Sequence, residues 1–194
     1  MITTRWWWVR HAPSASSPGI IHGQDDVDAD LSDQAAIDAR RHSLPEDAVW
    51  LTSGLNRAVQ TAAALGGTEC RVVPGLMEQN FGEWNGKAWD TMDKAEARAF
   101  WENYTTEAPP GGESVVHLMD RVSDAVAELS HEYQGQDIIA VAHAGSIRSA
   151  VAMALNLFAK SALSIQIDNL SLTRIDCLYD EESGPSWRVM GLNL

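Results

Sequence analysis

The run Asp137-Ile-Ile-Ala-Val-Ala142 is apolar at every position after the first, and it stops at His143. A strand that is apolar on both faces has no side to offer to water, so it belongs in the middle of a parallel sheet with helices on both faces. Residues 4–10, Thr-Arg-Trp-Trp-Trp-Val-Arg, read as a second buried strand without helical spacing, and it too ends abruptly, at His11. Val49–Thr52 and residues 70–73 add two shorter strands. Helices are expected from an N-cap at Ser32 to about residue 43, over residues 55–65 and over about 90–104. A fourth, capped by Ser114, runs to about Glu132, and a fifth covers 146–155. In the fourth, Val115, Leu118, Met119, Val122, Val126 and Leu129 recur at three-to-four spacing and define one buried face. Residues 164–167 and 171–176 read as strands, and 187–192 as a closing strand after the acidic turn 180–185. Strand and helix alternate through most of the chain. The fold class expected is therefore α/β: a three-layer sandwich with a mostly parallel central sheet, helices on both faces and an antiparallel edge strand.

A length of 194 residues suits one domain, taken as 1–194, and no internal repeat is visible. The 14 Lys and Arg against 27 Asp and Glu leave a formal charge of -13, which argues against nucleic acid and against anionic membranes as partners. An anionic ligand therefore requires a locally inverted field. The two cysteines, Cys70 and Cys177, are too few for a disulfide scaffold and are expected as buried thiols. No Cys/His cluster at zinc spacing occurs, so neither a metal nor a cofactor is expected. The N-terminal residues lack a basic stretch followed by an apolar run, and no window approaches the ~18 apolar residues of a membrane span, which makes the cytoplasm the expected location. A homodimer is left open, with nothing in the sequence to support it.

Two strands that end in a histidine followed by a small residue, Arg10-His11-Ala12 and Ala142-His143-Ala144-Gly145, deserve comparison. Ligands of open α/β sheets bind at the carboxyl ends of the strands, so both imidazoles are expected in one crevice. Arg57 falls in the first turn of the helix after Val49–Thr52. A cation there opposes the helix dipole but stands beside exposed amides, where a dianion would be well placed; taken alone, it also fits a solvated surface residue. Glu78 opens an irregular segment with Phe81, Gly82, Trp84 and Gly86, whose aromatics would shield it partly from water.

These pieces resemble the histidine phosphatases that include the phosphoglycerate mutases. Val9-Arg10-His11 is similar to the family's Arg-His-Gly signature, Ser53 to Ala62 to its Ser-x-Leu-x-Arg-Ala-x-Gln-Thr-Ala stretch, and Glu78 to Gly86 to its Glu-x-x-Phe-Gly-x-Trp-x-Gly stretch. Gly112-Glu113-Ser114, His143 to Arg148 and Ile167-Asp168-Asn169 complete six matches in order. Ala12 and Ala144 stand where the family has glycine, which bears on loop shape rather than on the reacting groups. Ser17 stands where the mutases carry an asparagine that touches phosphate, and it has less reach. The resemblance implies catalysis by His11 as nucleophile through a phosphohistidine, with Arg10, Arg57 and His143 around the transferring group and Glu78 as proton donor. It places Ser17, His22, Gly23, Glu113 and Ala144 at the substrate, with two alternatives open: Glu113 equally suits a helix N-terminus, and His22 a surface position.

The partner implied is a small phosphorylated substrate, the α-ribazole phosphatases providing one option. A mutase would carry an arginine-rich insertion after the glutamate segment, whereas residues 87–110 supply only Lys87, Lys94 and Arg98. A noncatalytic phospholigand-binding domain is a third reading, disfavoured because the nucleophile and the acid are both present. Trp6, Trp7 and Trp8 are expected to pack the two faces of the sheet, His42, His117 and His131 to face solvent, and Arg148 to hold the scaffold through an ion pair.

Overall fold

The computed structural model describes residues 2–194, apart from the side chain of Glu96. Strands β1 (Ile2–Arg10), β2 (Val49–Thr52), β3 (Arg71–Val72), β4 (Asp137–Ala142), β5 (Leu172–Asp180) and β6 (Gly184–Gly191) form one sheet in the order β3-β2-β4-β1-β5-β6. The first four are mutually parallel, and β5 and β6 add an antiparallel hairpin at one edge. Helices α1 (Gln34–His42) and α2 (Asn56–Leu65) cover one face, and α4 (Val115–Glu132) and α5 (Ala144–Leu155) the other. The remaining helices are α3 (Lys94–Asn103) and the single turn α6 (Ala159–Ala162).

The tryptophan triplet shows how the pleat sorts side chains. Trp6 and Trp8, two residues apart, point to the α4 side, fully buried and stacked with ring centroids 5.0 Å apart. The Trp6 indole donates to Ser130 Oγ at 2.8 Å. Trp7 points the other way, donates to Asp137 Oδ1 at 2.8 Å and carries the Arg174 guanidinium 4.4 Å over its ring. The α4 stripe of Leu118, Val122, Val126 and Leu129 is buried as its spacing predicts, and His42, His117 and His131 are exposed.

Several elements differ from the sequence reading. Asp33, not Ser32, caps α1, its carboxylate accepting from Ala36 N at 3.0 Å. Helix α5 starts at Ala144, two residues early, and α3 is shorter than expected because the turn Trp89–Thr91 precedes it. Residues 164–167 are not a strand. Their apolar alternation, Ile165 and Ile167, resembles one, yet the carbonyls of both are taken by Arg148 Nε at 2.7 Å and Arg10 Nη1 at 2.6 Å rather than by a neighbouring strand. Both late strands are longer than expected, which narrows the acidic turn to 181–183. Cys177 is buried, but Cys70 is only half-buried. Among the described residues, no helix is long and apolar enough to cross a membrane, and no group of three or more His, Cys, Asp or Glu is placed to hold a metal ion.

Candidate active site

Register builds the site. Arg10 pairs with Ala142 across β1 and β4, and Thr52 with Val141 across β2 and β4, so three neighbouring strands end at one level. The next residues, His11, His143 and Ser53, are thereby brought together. The two imidazole centroids lie 5.0 Å apart, and His143 Nε2 shares a 2.7 Å hydrogen bond with Ser53 Oγ. His143 also stands at the start of α5, where its backbone N–H donates to Ser146 Oγ at 3.1 Å.

His11 Nδ1 lies 2.6 Å from the carbonyl of Ala12. A carbonyl only accepts, so Nδ1 carries the proton and Nε2 the lone pair. The Nε–H of Arg57 points to that Nε2 at 3.3 Å. The peptide on either side of His11 is also held: Asn169 donates to His11 O at 2.8 Å, and Ala12 N donates to Thr61 Oγ1 at 3.0 Å. Burial first, then the charges of Arg57 and Arg10, push His11 down to about 3, so it is neutral in ordinary buffers. Burial likewise holds His143 well below the usual imidazole range, with His11 and the same arginines adding to it.

Arg57 is 2% exposed, and its Nη2 and Nη1 are fixed on the carbonyls of Gly23 and Asp25 at 2.6 and 2.8 Å. Arg10 is fixed on Ile167 O, while its buried Nε has no acceptor among the described residues. Glu78 stands on the other side. Its Oε1 accepts from Gln79 N at 2.9 Å and from Gly145 N at 3.1 Å, and its carbonyl accepts from Gln24 Nε2 at 3.0 Å and Arg121 Nη2 at 2.8 Å. Arg10, His11, Arg57 and Glu78 share one cavity of about 350 Å³, which His22, Gly23, Gly145 and Arg148 also line.

The substrate-side residues divide. His22 and Gly23 are at the cavity, His22 bonded to Ser16 Oγ at 2.6 Å. Ser17 is exposed and lies outside the cavity lining; Ser14 of the same loop is in it. Ala144 is buried as the first residue of α5, also outside the lining. Neither Ala12 nor Ala144 has a positive φ, so alanine is accommodated at both. Glu113 lies outside the cavity lining, next to the Ser114 cap at the N-terminus of α4, as the second alternative had it, and takes a further role there. It pairs with Arg121 at 2.6 Å and accepts from Asn80 N at 2.8 Å, tying down the segment that carries Glu78. Arg148 holds the scaffold through a backbone carbonyl, not through an ion pair. Arg121, in the second turn of α4, carried no motif signal, and its partner Glu113 lies just before the Ser114 cap, outside the helix.

The sequence pattern of the histidine phosphatase superfamily (branch 1) matches residues 6–190, and the chain belongs to that superfamily. Among named relatives, the metal-independent phosphoserine phosphatase of Arabidopsis thaliana is 32% identical over 155 residues, 73% of this chain and 64% of that one. The glucosyl-3-phosphoglycerate phosphatase of Mycolicibacterium vanbaalenii is 34% identical over 150 residues, 69% of this chain and 67% of that one. A solved mycobacterial glucosyl-3-phosphoglycerate phosphatase superposes with a TM-score of 0.85 at 26% identity, covering 98% of this chain and 99% of that chain.

Proposed function

We propose that this chain hydrolyses phosphate monoesters of small metabolites through a phosphohistidine on His11, with Glu78 as proton donor and no metal. The observation that carries the reading is the His11 tautomer: Nδ1 is tied to Ala12 O, and a neutral Nε2 is left on the cavity beside Arg57. In the first step Nε2 attacks phosphorus, the bond from phosphorus to the alcohol oxygen breaks, and Glu78 gives its proton to the departing oxygen. In the second step the Glu78 carboxylate takes a proton from water, the water oxygen attacks phosphorus, and the P–N bond breaks to restore His11. Phosphoryl transfer asks a protein mainly for position and for charge near the equatorial oxygens, which Arg10 and Arg57 supply, while His143, fully buried and outside the cavity lining, backs His11 with its ring centroid 5.0 Å away.

Phosphatase chemistry is favoured over mutase chemistry because Lys87, Lys94 and Arg98 all lie outside the cavity lining, and Arg98 is paired with Glu102 at 2.9 Å. The names of the two phosphatase relatives given above point the same way. The test is turnover of a panel of phosphorylated metabolites by the purified chain and by His11→Ala. Release of inorganic phosphate by the former alone supports the proposal; net transfer of phosphate between hydroxyls, or equal rates in both, contradicts it.

A further inference from the structure

Away from Arg10 and His11 the cavity wall changes character. Phe81, Trp89, Trp101 and Tyr104 line it, with centroid separations of 6.0 Å from Phe81 to Trp89, 5.2 Å from Trp89 to Trp101 and 5.5 Å from Trp101 to Tyr104. Holding α3 to the body falls to other rings: Trp84 and Phe100, 3% and 5% exposed, pack edge to face with Ile21 beside them. Trp89 and Trp101 are left 37% and 49% exposed. Two indoles kept open along a cleft that already ends in a charged site are surface waiting for a ligand. The volume of about 350 Å³ falls in the ~300–1,000 Å³ range of sites that enclose a whole organic molecule, so a phosphoryl group leaves most of it to the alcohol.

The chemistry of this wall selects among alcohols. Arg148 is the one arginine lining the cavity besides Arg10 and Arg57, among the described residues, and its Nε donates to Ile165 O at 2.7 Å. Ser149, the hydroxyl on the same side, donates to Gly145 O at 2.9 Å. An alcohol without an apolar face, whatever polar partners it found, would leave the two indoles wet. We infer that the preferred substrate is a phosphate monoester whose alcohol carries an aromatic ring, and that Trp89 and Trp101 determine this specificity by stacking on that ring while the phosphoryl group sits at His11. The inference rests on the phosphatase reading and names its substrate class. Ring-on-ring contact adds to the gain from burying the apolar area.

The test separates the two readings. Calorimetric titration of the intact chain with 3-phenylpropylphosphonate and with propylphosphonate, neither hydrolysable, reads the wall without chemistry. Turnover of the two matching phosphate monoesters, beside O-phosphoserine and 3-phosphoglycerate, reads it through kcat/KM. The phenyl compound is expected to be favoured about tenfold or more in both measurements, through Kd and KM. In Trp101→Ala, or in Trp101→Leu if the alanine variant does not fold, the ratio should drop below about threefold. Equal affinity for the two phosphonates, binding of neither, a ratio unmoved by the Trp101 variants, or a preference for the two carboxylates over the phenyl ester overturns the inference. Phosphonates discriminated without hydrolysis of any ester would leave this pocket standing and remove the phosphatase reading; hydrolysis without discrimination would do the reverse.

Discussion

On the proposed mechanism Glu78 and His11 divide the chemistry between a proton and an electron pair, and each makes its own prediction. If Glu78 protonates the leaving oxygen, Glu78→Gln slows phosphoenzyme formation from an alkyl phosphate far more than from an aryl phosphate, whose phenolate departs with little help. General acid catalysis is worth ~100 to 10,000-fold, and most of that should appear in the alkyl substrate. Single-turnover measurement isolates the step, and equal losses for the two substrates would make Glu78 a positioning group instead. His11 and His143 bear on stability. Both are held neutral in the fold, His11 down to about 3 from an ordinary 6.5. Below pH 6.5 the unfolded chain therefore takes up protons that the folded chain refuses, and stability falls as pH falls, by up to about 1.4 kcal/mol per pH unit for each histidine. Urea unfolding at about pH 6.5 and pH 5 should show this loss, smaller in His11→Ala; an unchanged slope would mean that His11 is charged in the fold.

At the scale of elements, the start of α5 and the segment carrying Glu78 are fitted to each other. A Cβ at Gly145 would lie 2.1 Å from Glu78 Oε1, so Gly145→Ala displaces the carboxylate while leaving a helix-compatible residue in place. Misplacing a catalytic group by about an ångström costs on the order of 100-fold, which should appear in kcat with thermal unfolding little changed. Full activity in Gly145→Ala would show that Glu78 does not need this seat. The strand ends were legible because a histidine that closes an apolar run marks the edge of a buried strand, and that pattern led to His11 and His143, while Arg57 was reached as a cation in the first turn of the helix after Val49–Thr52. The seat of Glu78 was not legible, because Glu113 acts through Arg121, and a motif records residues but not their partners. Residues 164–167 were misread because alternation cannot show whether a carbonyl faces a strand or an arginine. Trp89 and Trp101 were equally hidden, since an aromatic on a helix or in the turn before it looks the same whether it faces a core or a cavity.

For the whole molecule, a formal charge of -13 coexists with a cavity to which three distant stretches bring arginines, Arg10, Arg57 and Arg148. On the proposed mechanism that local inversion does the work a metal ion would otherwise do, so phosphate release should persist in excess EDTA; activity that returns only on titration with Mg²⁺ or Zn²⁺ would contradict this. The central claim is the covalent intermediate, and the most direct test is to mix the chain with a ³²P-labelled substrate, quench within the first turnover and locate the label. The account predicts base-stable, acid-labile phosphate on His11, absent from a folded His11→Ala variant that no longer releases phosphate. A wild-type chain that turns over substrate with no label on His11, or a His11→Ala variant with undiminished turnover, would contradict it.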